Sequence, residues 1–178
     1  APKVTRALTE AGYFAERFGQ TMTFGLPSES PPELPEGFSI TRVTEETLED
    51  FLEAMADGFG WDAERREGAK VESRDRFGEP GRHELLARFD GTPAGTGVLT
   101  VIGEEGFLGA GAVAPDYRRR GCHTALLRAR LHLAHELGCR IVYSGAGIES
   151  GSFRNQQRVG LRLAYVESGW KKRADSSE

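Results

Sequence analysis

The segment of residues 107–138 constrains the fold more than any other part of the chain, because its apolar pattern changes period once. Residues 107–114 form a nearly unbroken apolar run, which predicts a buried strand. Residues 115–120 are mostly polar and predict a turn. After Gly121 the apolar residues recur at spacings of three and four, which predicts a long amphipathic helix that ends at Gly138.

The turn and the start of this helix have the chemistry of an anion site. The first turn of a helix has unpaired N–H groups and the positive end of the helix dipole. Gly121 lets the backbone come close to a ligand, and Arg118, Arg119 and Arg120 add cations that suit a diphosphate. An ordinary helix start with a solvated arginine cluster also fits, and the arginines alone favour that simpler interpretation.

Further strands and helices are predicted on both sides of this segment. Before it, the apolar patterns predict strands at 38–43, 83–89 and 96–102, a helix at 44–57, and a short helix with a mobile loop within 61–82. After it, they predict a strand at 140–144, a helix at 152–159 and a strand at 161–167. This order mixes antiparallel hairpins with later strand–helix–strand units, so the sequence predicts an α/β (α+β) fold.

The predicted helix at 44–57 has one strongly acidic face. Five carboxylates lie opposite its apolar stripe: Glu46, Glu49, Asp50, Glu53 and Asp57. They could form a wall that attracts a cationic substrate, but a solvated helix face is the favoured interpretation.

The chain divides into three predicted segments. Residues 1–25 contain a short helix and an extended aromatic and polar run, which we interpret as an N-terminal appendage. Residues 26–37 contain four prolines, which exclude a continuous helix or a central strand and indicate a linker. The main domain is predicted to span residues 38–178.

Composition argues against several functional classes. A net charge of -4 and a pI near 5.7 do not suit a nucleic-acid binder. No apolar stretch approaches the roughly 20 residues of a membrane-spanning helix, and no signal peptide is visible. The two cysteines, Cys122 and Cys139, lack metal-ligand spacing, so we predict no metal and reduced thiols in a cytoplasmic protein.

Two motifs resemble those of the GNAT acyltransferase superfamily. Arg118-x-x-Gly121-x-His123 is similar to the Arg/Gln-x-x-Gly-x-Gly/Ala signature, with His123 in place of the usual small residue. Residues 152–165 resemble the Ser-x-Arg-Asn-x-x-Arg-x-Gly-Phe motif of one branch, with Leu161 in place of the phenylalanine. The resemblance covers residues 38 to about 170, and residues 1–25 look like the end of an extra region in longer members.

The resemblance implies a fold and a co-substrate. The fold is a mixed, mostly antiparallel twisted sheet of about six to seven strands with helices on both faces. The co-substrate is acetyl-CoA, or another acyl-CoA, with no metal. The resemblance assigns its pyrophosphate to Arg118, Arg119, Arg120, Gly121, Cys122, His123 and Thr124. It assigns the pantetheine to the backbone of Ala112 and Val113, and a further contact to Asn155. The resemblance also implies that this strand separates from its neighbour and leaves a V-shaped slot. A bulge is the expected cause of the separation, and Gly109 and Gly111 would tolerate one.

The resemblance implies direct attack of an amine on the thioester but leaves the catalytic residues unknown. The position that often holds an acidic tyrosine is Gln156, which cannot act as an acid at neutral pH. Weaker candidates for the acid or base are Tyr143, Tyr165, Glu104 and Glu105. Cys122 lies at a helix N-terminus beside arginines, a setting that lowers a thiol pKa, but no His–Asp pattern supports a covalent route.

Other functions stay open at the level of sequence. One is a non-catalytic acyl-CoA sensor, and another is an interaction domain whose slot His123 closes. The acceptor is a small-molecule amine or a peptide, and the acidic helix with the negative net charge favours a cationic one. Nothing fixes the oligomeric state, and a homodimer is one of the states left open.

Overall fold

Seven strands and five α-helices are present in the computed structural model, which describes residues 2–173. The helices are α1 (Pro2–Glu10), α2 (Leu48–Phe59), α3 (Ala63–Asp75), α4 (Cys122–Glu136) and α5 (Gly151–Arg158). The strands are β1 (Tyr13–Gly25), β2 (Phe38–Arg42), β3 (Arg82–Phe89), β4 (Thr92–Ile102), β5 (Glu105–Val113), β6 (Ile141–Gly147) and β7 (Arg162–Lys172). Over residues 2–173, no helix combines the length and the apolar character needed to span a bilayer.

All seven strands belong to one sheet in the order β2-β3-β4-β5-β6-β1-β7. β5 and β6 pair in parallel, and the other neighbours pair antiparallel. The predicted fold class, an α+β fold with a mixed, mostly antiparallel sheet, is confirmed.

Two successive residues of β4 show that helices cover both faces of the sheet. Val98 packs into a buried cluster with Phe51 and Leu52 of α2, whereas Leu99 packs into a larger cluster with Leu126 of α4. Successive side chains of a strand point to opposite faces. Helices α2 and α4 therefore lie on opposite faces, with the central strands β4 and β5 between them.

The N-terminal strand lies inside the sheet. β1 pairs with β6, where Thr23 is opposite Ser144, and with β7, where Met22 is opposite Tyr165. The buried amide of Gln156 in α5 joins this arrangement, because it accepts from Thr23 Oγ1 and donates to Ser144 Oγ, both at 2.9 Å. Residues 13–25 therefore share the sheet of the main domain, while the predicted division of the chain into three segments stays a prediction.

The proline-rich segment 26–37 runs along helix α4. The N–H of Ser28 donates to the carbonyl oxygen of Leu131 at 3.0 Å, and its own carbonyl oxygen lies 3.2 Å from Nδ1 of His132. Pro35 lies beside Gly121, at the start of α4. The segment has no helix or strand, as the prolines predicted, and it passes next to the predicted phosphate site.

Three carboxylates on the acidic face of α2 pair with a basic face of α3, and their side chains stay 47–61% exposed, so this face is both solvated and paired. Glu49, Glu53 and Asp57 recur every four residues, as do Arg66, Lys70 and Arg74. Arg66 contacts Asp57 at 2.5 Å and Glu53 at 2.7 Å, Lys70 contacts Glu53, and Arg74 contacts Glu49 at 2.7 Å. This pairing explains why residues 63–75, where we predicted a short helix and a mobile loop, form a 13-residue helix.

Candidate functional site

Strand β5 contains a bulge at its centre. Its pairing with β4 shifts at this point, so that two residues of β5, Ala110 and Gly111, stand opposite one residue of β4, Gly97. Ala110 has a φ of 45°, and its carbonyl oxygen accepts from Thr96 Oγ1 at 3.1 Å. The predicted bulge is confirmed, but the positive φ is on the alanine between the two glycines that suggested it.

Arg130 of helix α4 binds the backbone next to the bulge through hydrogen bonds. Its side chain is 1% exposed and donates to the carbonyl oxygens of Gly109 (2.8 Å), Val98 (3.4 Å) and Leu126 (3.0 Å). Burial lowers the pKa of this guanidinium to about 10. A bulge locally disrupts the ladder of a sheet, and the arginine donates to two carbonyl oxygens beside it.

A cavity of about 530 Å³ opens where β5 and β6 separate. The two strands pair only over residues 105–108 and 141–144, and from Val142 onward β6 pairs with β1. Sixteen residues line the cavity: Gly58, Phe59, Gly111, Ala112, Val113, Tyr117, Arg118, Arg119, Gly121, Cys122, His123, Thr124, Gly151, Ser152, Asn155 and Arg158.

The N-terminus of α4 forms one end of this cavity. Gly121 takes a φ of 85° and provides no side-chain cap, and its carbonyl oxygen accepts the helical hydrogen bond of Ala125 at 3.0 Å. The N–H groups of Cys122, His123 and Thr124 therefore have no acceptor within the helix. A helix end of this kind attracts anions through both its N–H groups and its dipole.

The structure brings together nine of the ten residues predicted to bind the cofactor. They are Ala112, Val113, Arg118, Arg119, Gly121, Cys122, His123, Thr124 and Asn155. Arg120 stands apart, with its guanidinium carbon 5.1 Å from the centre of the Phe89 ring. The cofactor role of all ten residues stays a prediction.

The arginines at the cavity have different roles. Arg118 donates to the carbonyl oxygens of Val113 (3.0 Å) and Gly58 (2.9 Å), so its side chain ties the end of β5 to α2. Arg119 and Arg158 line the cavity as exposed side chains. These two are therefore better suited than Arg118 to bind a phosphate.

His123 forms a wall of the cavity as a neutral ring. Nη1 of Arg158 donates to Oδ1 of Asn155 at 2.7 Å, which directs the Asn155 amide nitrogen to Nδ1 of His123, 3.3 Å away. Nδ1 then accepts, so the ring proton is on Nε2. Burial and, to a smaller extent, the nearby Arg130 lower the pKa of His123 to about 4.

The sulfur of Cys122 faces the core, and the expected lowering of its pKa is wrong. The side chain is 2% exposed, and Sγ would lie 3.2 Å from a Cβ on Gly95. Burial raises the pKa of this thiol to about 12. Loss of hydration therefore outweighs the helix dipole and the arginines.

The residues considered as acid or base lie away from the cavity. Tyr143 and Tyr165 line a different groove with Phe107, and Glu104 contacts Arg140 at 3.4 Å at the far end of β5. Glu105 begins the same strand, five residues before the bulge at Ala110. Gln156 is 1% exposed and bound to β1 and β6, so its role is structural.

Sequence reasoning missed several lining residues, among them Phe59, Tyr117, Ser152 and Arg158. Tyr117 and Ser152 lie within or beside the two recognised motifs, so proximity to a motif was the available signal. Phe59 at the end of α2 had none, because its place depends on tertiary packing. Among residues 2–173, no group of three or more His, Cys, Asp or Glu side chains could hold a metal ion.

Comparisons with known proteins agree with this architecture. Similar structures include GCN5-related N-acetyltransferases from Sphaerobacter thermophilus (22% identity, TM-score 0.75) and Kribbella flavida (20% identity, TM-score 0.70). Each covers 94% of this chain, which in turn covers 55% and 62% of those chains, so this chain spans little more than half of their length.

A third similar structure is AAC(6')-Iy in complex with the bisubstrate analog CoA-S-monomethyl-acetylneamine (19% identity, TM-score 0.60), with 77% of this chain and 99% of that chain covered. A comparison of the sequence with curated proteins finds no match. Residues 43–152 match the model of the Acetyltransferase (GNAT) family. This match covers more than half of the sequence, and the chain therefore belongs to the acetyltransferase (GNAT) family.

Proposed function

We propose that the chain transfers an acyl group from acyl-CoA, with acetyl-CoA as donor, to an amine. The observation that carries this proposal is that the bulge of β5 and the uncapped N-terminus of α4 open into one cavity. In this reaction the amine nitrogen bonds to the acyl carbon and the carbon–sulfur bond breaks. One amine proton is lost, and the leaving CoA thiolate takes up a proton.

The residues of the cavity fit an acyl-CoA. The N–H groups of Cys122, His123 and Thr124, with Arg119 and Arg158, would hold its phosphates. The edge of β5 at Ala112 and Val113, where no neighbouring part of β6 is paired, would bind the amide groups of the pantetheine. The bound thioester supplies the activated acyl group.

Gly111, which lines the first cavity, supports the proposal that an acyl-CoA binds there. A Cβ on Gly111 would lie 3.1 Å from Nη2 of Arg130 and 3.4 Å from Nε2 of His123. A side chain at this position would therefore crowd Arg130 and His123. His123 lines the cavity, which remains open beside it.

Calorimetric titration with acetyl-CoA tests the proposal. Wild type is compared with Ser152→Trp, which places a large side chain in the cavity, and with Gln157→Trp, a matched change on the exposed face of α5. We prefer Ser152 to Gly121 as the blocking site. A side chain on Gly121 would be strained at φ 85° and would approach Pro35 at 2.9 Å.

We expect micromolar-range binding by wild type and Gln157→Trp and its loss in Ser152→Trp. Mass spectrometry of a panel of amines incubated with acetyl-CoA then tests transfer. Binding without transfer to any amine would identify a sensor. No binding of acetyl-CoA or longer acyl-CoAs to wild type would refute the enzyme hypothesis and favour an interaction domain.

A further inference from the structure

A second cavity of about 530 Å³ lies between helices α2 and α3 and strands β4 and β5. It reaches Gly109 and Ala110 of the bulge and shares Phe59 with the first cavity. The two cavities therefore border neighbouring residues of β5. We propose that this second cavity binds the acceptor, and that the acceptor is an amine whose apolar body carries a carboxylate. This inference rests on the proposed acyl transfer.

Exposed aromatic rings line the second cavity. Phe59 and Trp61 stack with their ring centres 4.9 Å apart and their planes at 12°. Phe59 and Phe107 are each 44% exposed, and both line the cavity, which Met55 and Val98 extend inward. Aromatic surface that converges on a cavity favours an acceptor with an apolar or aromatic body.

The second cavity also has charged side chains in its lining. Three guanidinium groups, of Arg65, Arg76 and Arg82, line it together with one carboxylate, of Glu72. Arg76 and Arg82 form ion pairs with Glu79 and Glu84, so the charged lining groups outside these ion pairs are Arg65 and Glu72. The guanidinium of Arg65 suits an anionic group on the ligand.

Arg65 is the best placed of the three arginines to bind a carboxylate. Arg82 contacts Glu84 at 2.5 Å and Arg76 contacts Glu79 at 3.1 Å, so both are paired with side chains of the protein. The guanidinium of Arg65 instead lies over the ring of Trp61, 5.6 Å from its centre. An arginine stacked on an aromatic face is held in position while its N–H groups remain free to bind a carboxylate in a bidentate manner.

The position of Arg65 is also fixed by its backbone. Its N–H donates to Oδ1 of Asp62, the N-cap of α3, at 2.9 Å. Trp61 and Arg65 therefore lie at the start of α3, close to Phe59, the residue that the two cavities share. An acceptor could direct its amine to the bulge and its carboxylate to Arg65, as an α-amino acid with an apolar side chain would.

A cationic acceptor, which the sequence favoured, has less support in this cavity. The carboxylates of Glu49, Glu53 and Asp57 on α2 are already paired with basic side chains of α3. They do not line this cavity, whose one lining carboxylate is that of Glu72.

The test uses matched acceptors that differ in one charge. L-phenylalanine, L-leucine and L-methionine are compared with their amides, and spermidine serves as the cationic probe. Transfer from acetyl-CoA is followed by mass spectrometry in wild type, in Arg65→Met and in Arg6→Met, which removes an exposed arginine of α1. We expect kcat/KM for at least one acid to exceed that of its amide by about tenfold, because a charge-assisted pair with arginine is lost in the amide. Only Arg65→Met should abolish this preference.

Binding of the products separates this inference from the proposed transfer. N-acetyl-L-phenylalanine, N-acetyl-L-leucine, N-acetyl-L-methionine and their amides are titrated into the same three proteins in the presence of CoA. Tighter binding of an acid that depends on Arg65 supports the acceptor class even if no transfer is detected. The inference is overturned if amides or spermidine are preferred, if the preference persists in Arg65→Met, or if no compound binds while acetyl-CoA does.

Discussion

Arg130 donates from Nη1 to the carbonyl oxygen of Gly109 at 2.8 Å, so a helix on one face of the sheet holds the irregular part of a central strand. Gly109 lies opposite Val98, directly beside the register shift between β4 and β5. A single buried arginine thus connects the long helix α4 with the bulge of β5. The bulge is therefore bound directly to the helix whose N-terminus lines the first cavity.

The first prediction concerns this contact. Arg130→Met removes the buried side-chain hydrogen bonds to the carbonyl oxygens of Gly109, Val98 and Leu126. We expect the free energy of unfolding to fall by about 2–4 kcal/mol, since each buried unsatisfied group costs about 1–3 kcal/mol. Urea unfolding measures it, with Arg128→Met, an exposed neighbour on the same helix, as control. Equal stability of Arg130→Met and the control would show that the bulge does not depend on the arginine.

The amide of Gln156 is predicted to have a structural role only. Gln156→Leu removes its hydrogen bonds to Thr23, Ser144 and the carbonyl oxygen of Gly145. We expect a loss of about 1–3 kcal/mol of unfolding free energy in urea, as for other buried hydrogen-bonded amides. Affinity for acetyl-CoA should not change, because Gln156 does not line the cavity. Gln157→Leu is the matched exposed control. Loss of affinity at unchanged stability would contradict this role.

The outline of the fold was predictable because each element shows its own apolar period. The strand, turn and helix of residues 107–137 and the late helix with Asn155 were placed correctly, and Asn155 does reach the cavity. The place of β1 between β6 and β7 was not predictable, because the partner of a strand is a long-range choice that its local pattern does not encode.

The candidate site was predictable where the backbone carries the chemistry. Gly121 and the first turn of α4 form the expected uncapped helix start, which lines a cavity, because a glycine before an amphipathic helix has a direct local consequence. Phosphate binding at this helix start stays a prediction. The expectation for Cys122 depended on burial and was wrong, because this side chain faces the core. The ion pairs between the acids of α2 and the basic residues of α3 were not predicted. The matching four-residue spacings of the charges in α2 and α3 were a signal in the sequence, but their pairing depends on how the two helices meet.

Cys122 is predicted to be unreactive in the folded protein. Both cysteines are buried, and burial raises the pKa of each thiol, that of Cys122 to about 12. A disulfide reagent such as DTNB should therefore modify neither thiol within minutes at pH 8, and both in denaturant. Cys122→Ala should keep acyl transfer, since no acyl-cysteine is expected. Rapid modification of the native protein, blocked by acetyl-CoA, would instead indicate a thiol that faces the cavity.

The last prediction concerns the pH dependence that His123 introduces. The pKa of this ring is about 4 in the folded protein, against an ordinary value of 6.5. Between these values the unfolded chain binds a proton that the folded chain does not, so the stability contributed by the neutral ring is present above pH 6.5 and is lost as the pH falls towards 4. The charged Arg130 and the buried setting both oppose protonation.

His123→Ala removes this titration. Between pH 7 and about pH 4.5, wild type should lose roughly 2–3 kcal/mol more unfolding free energy than the variant, measured in urea. The other titrating groups are common to both proteins and cancel in the comparison. Alanine should also widen the slot, so the variant should bind acetyl-CoA at least as tightly as wild type at pH 7. If the unfolding free energies of the two proteins change in parallel with pH, the pKa of His123 is not lowered in the folded protein.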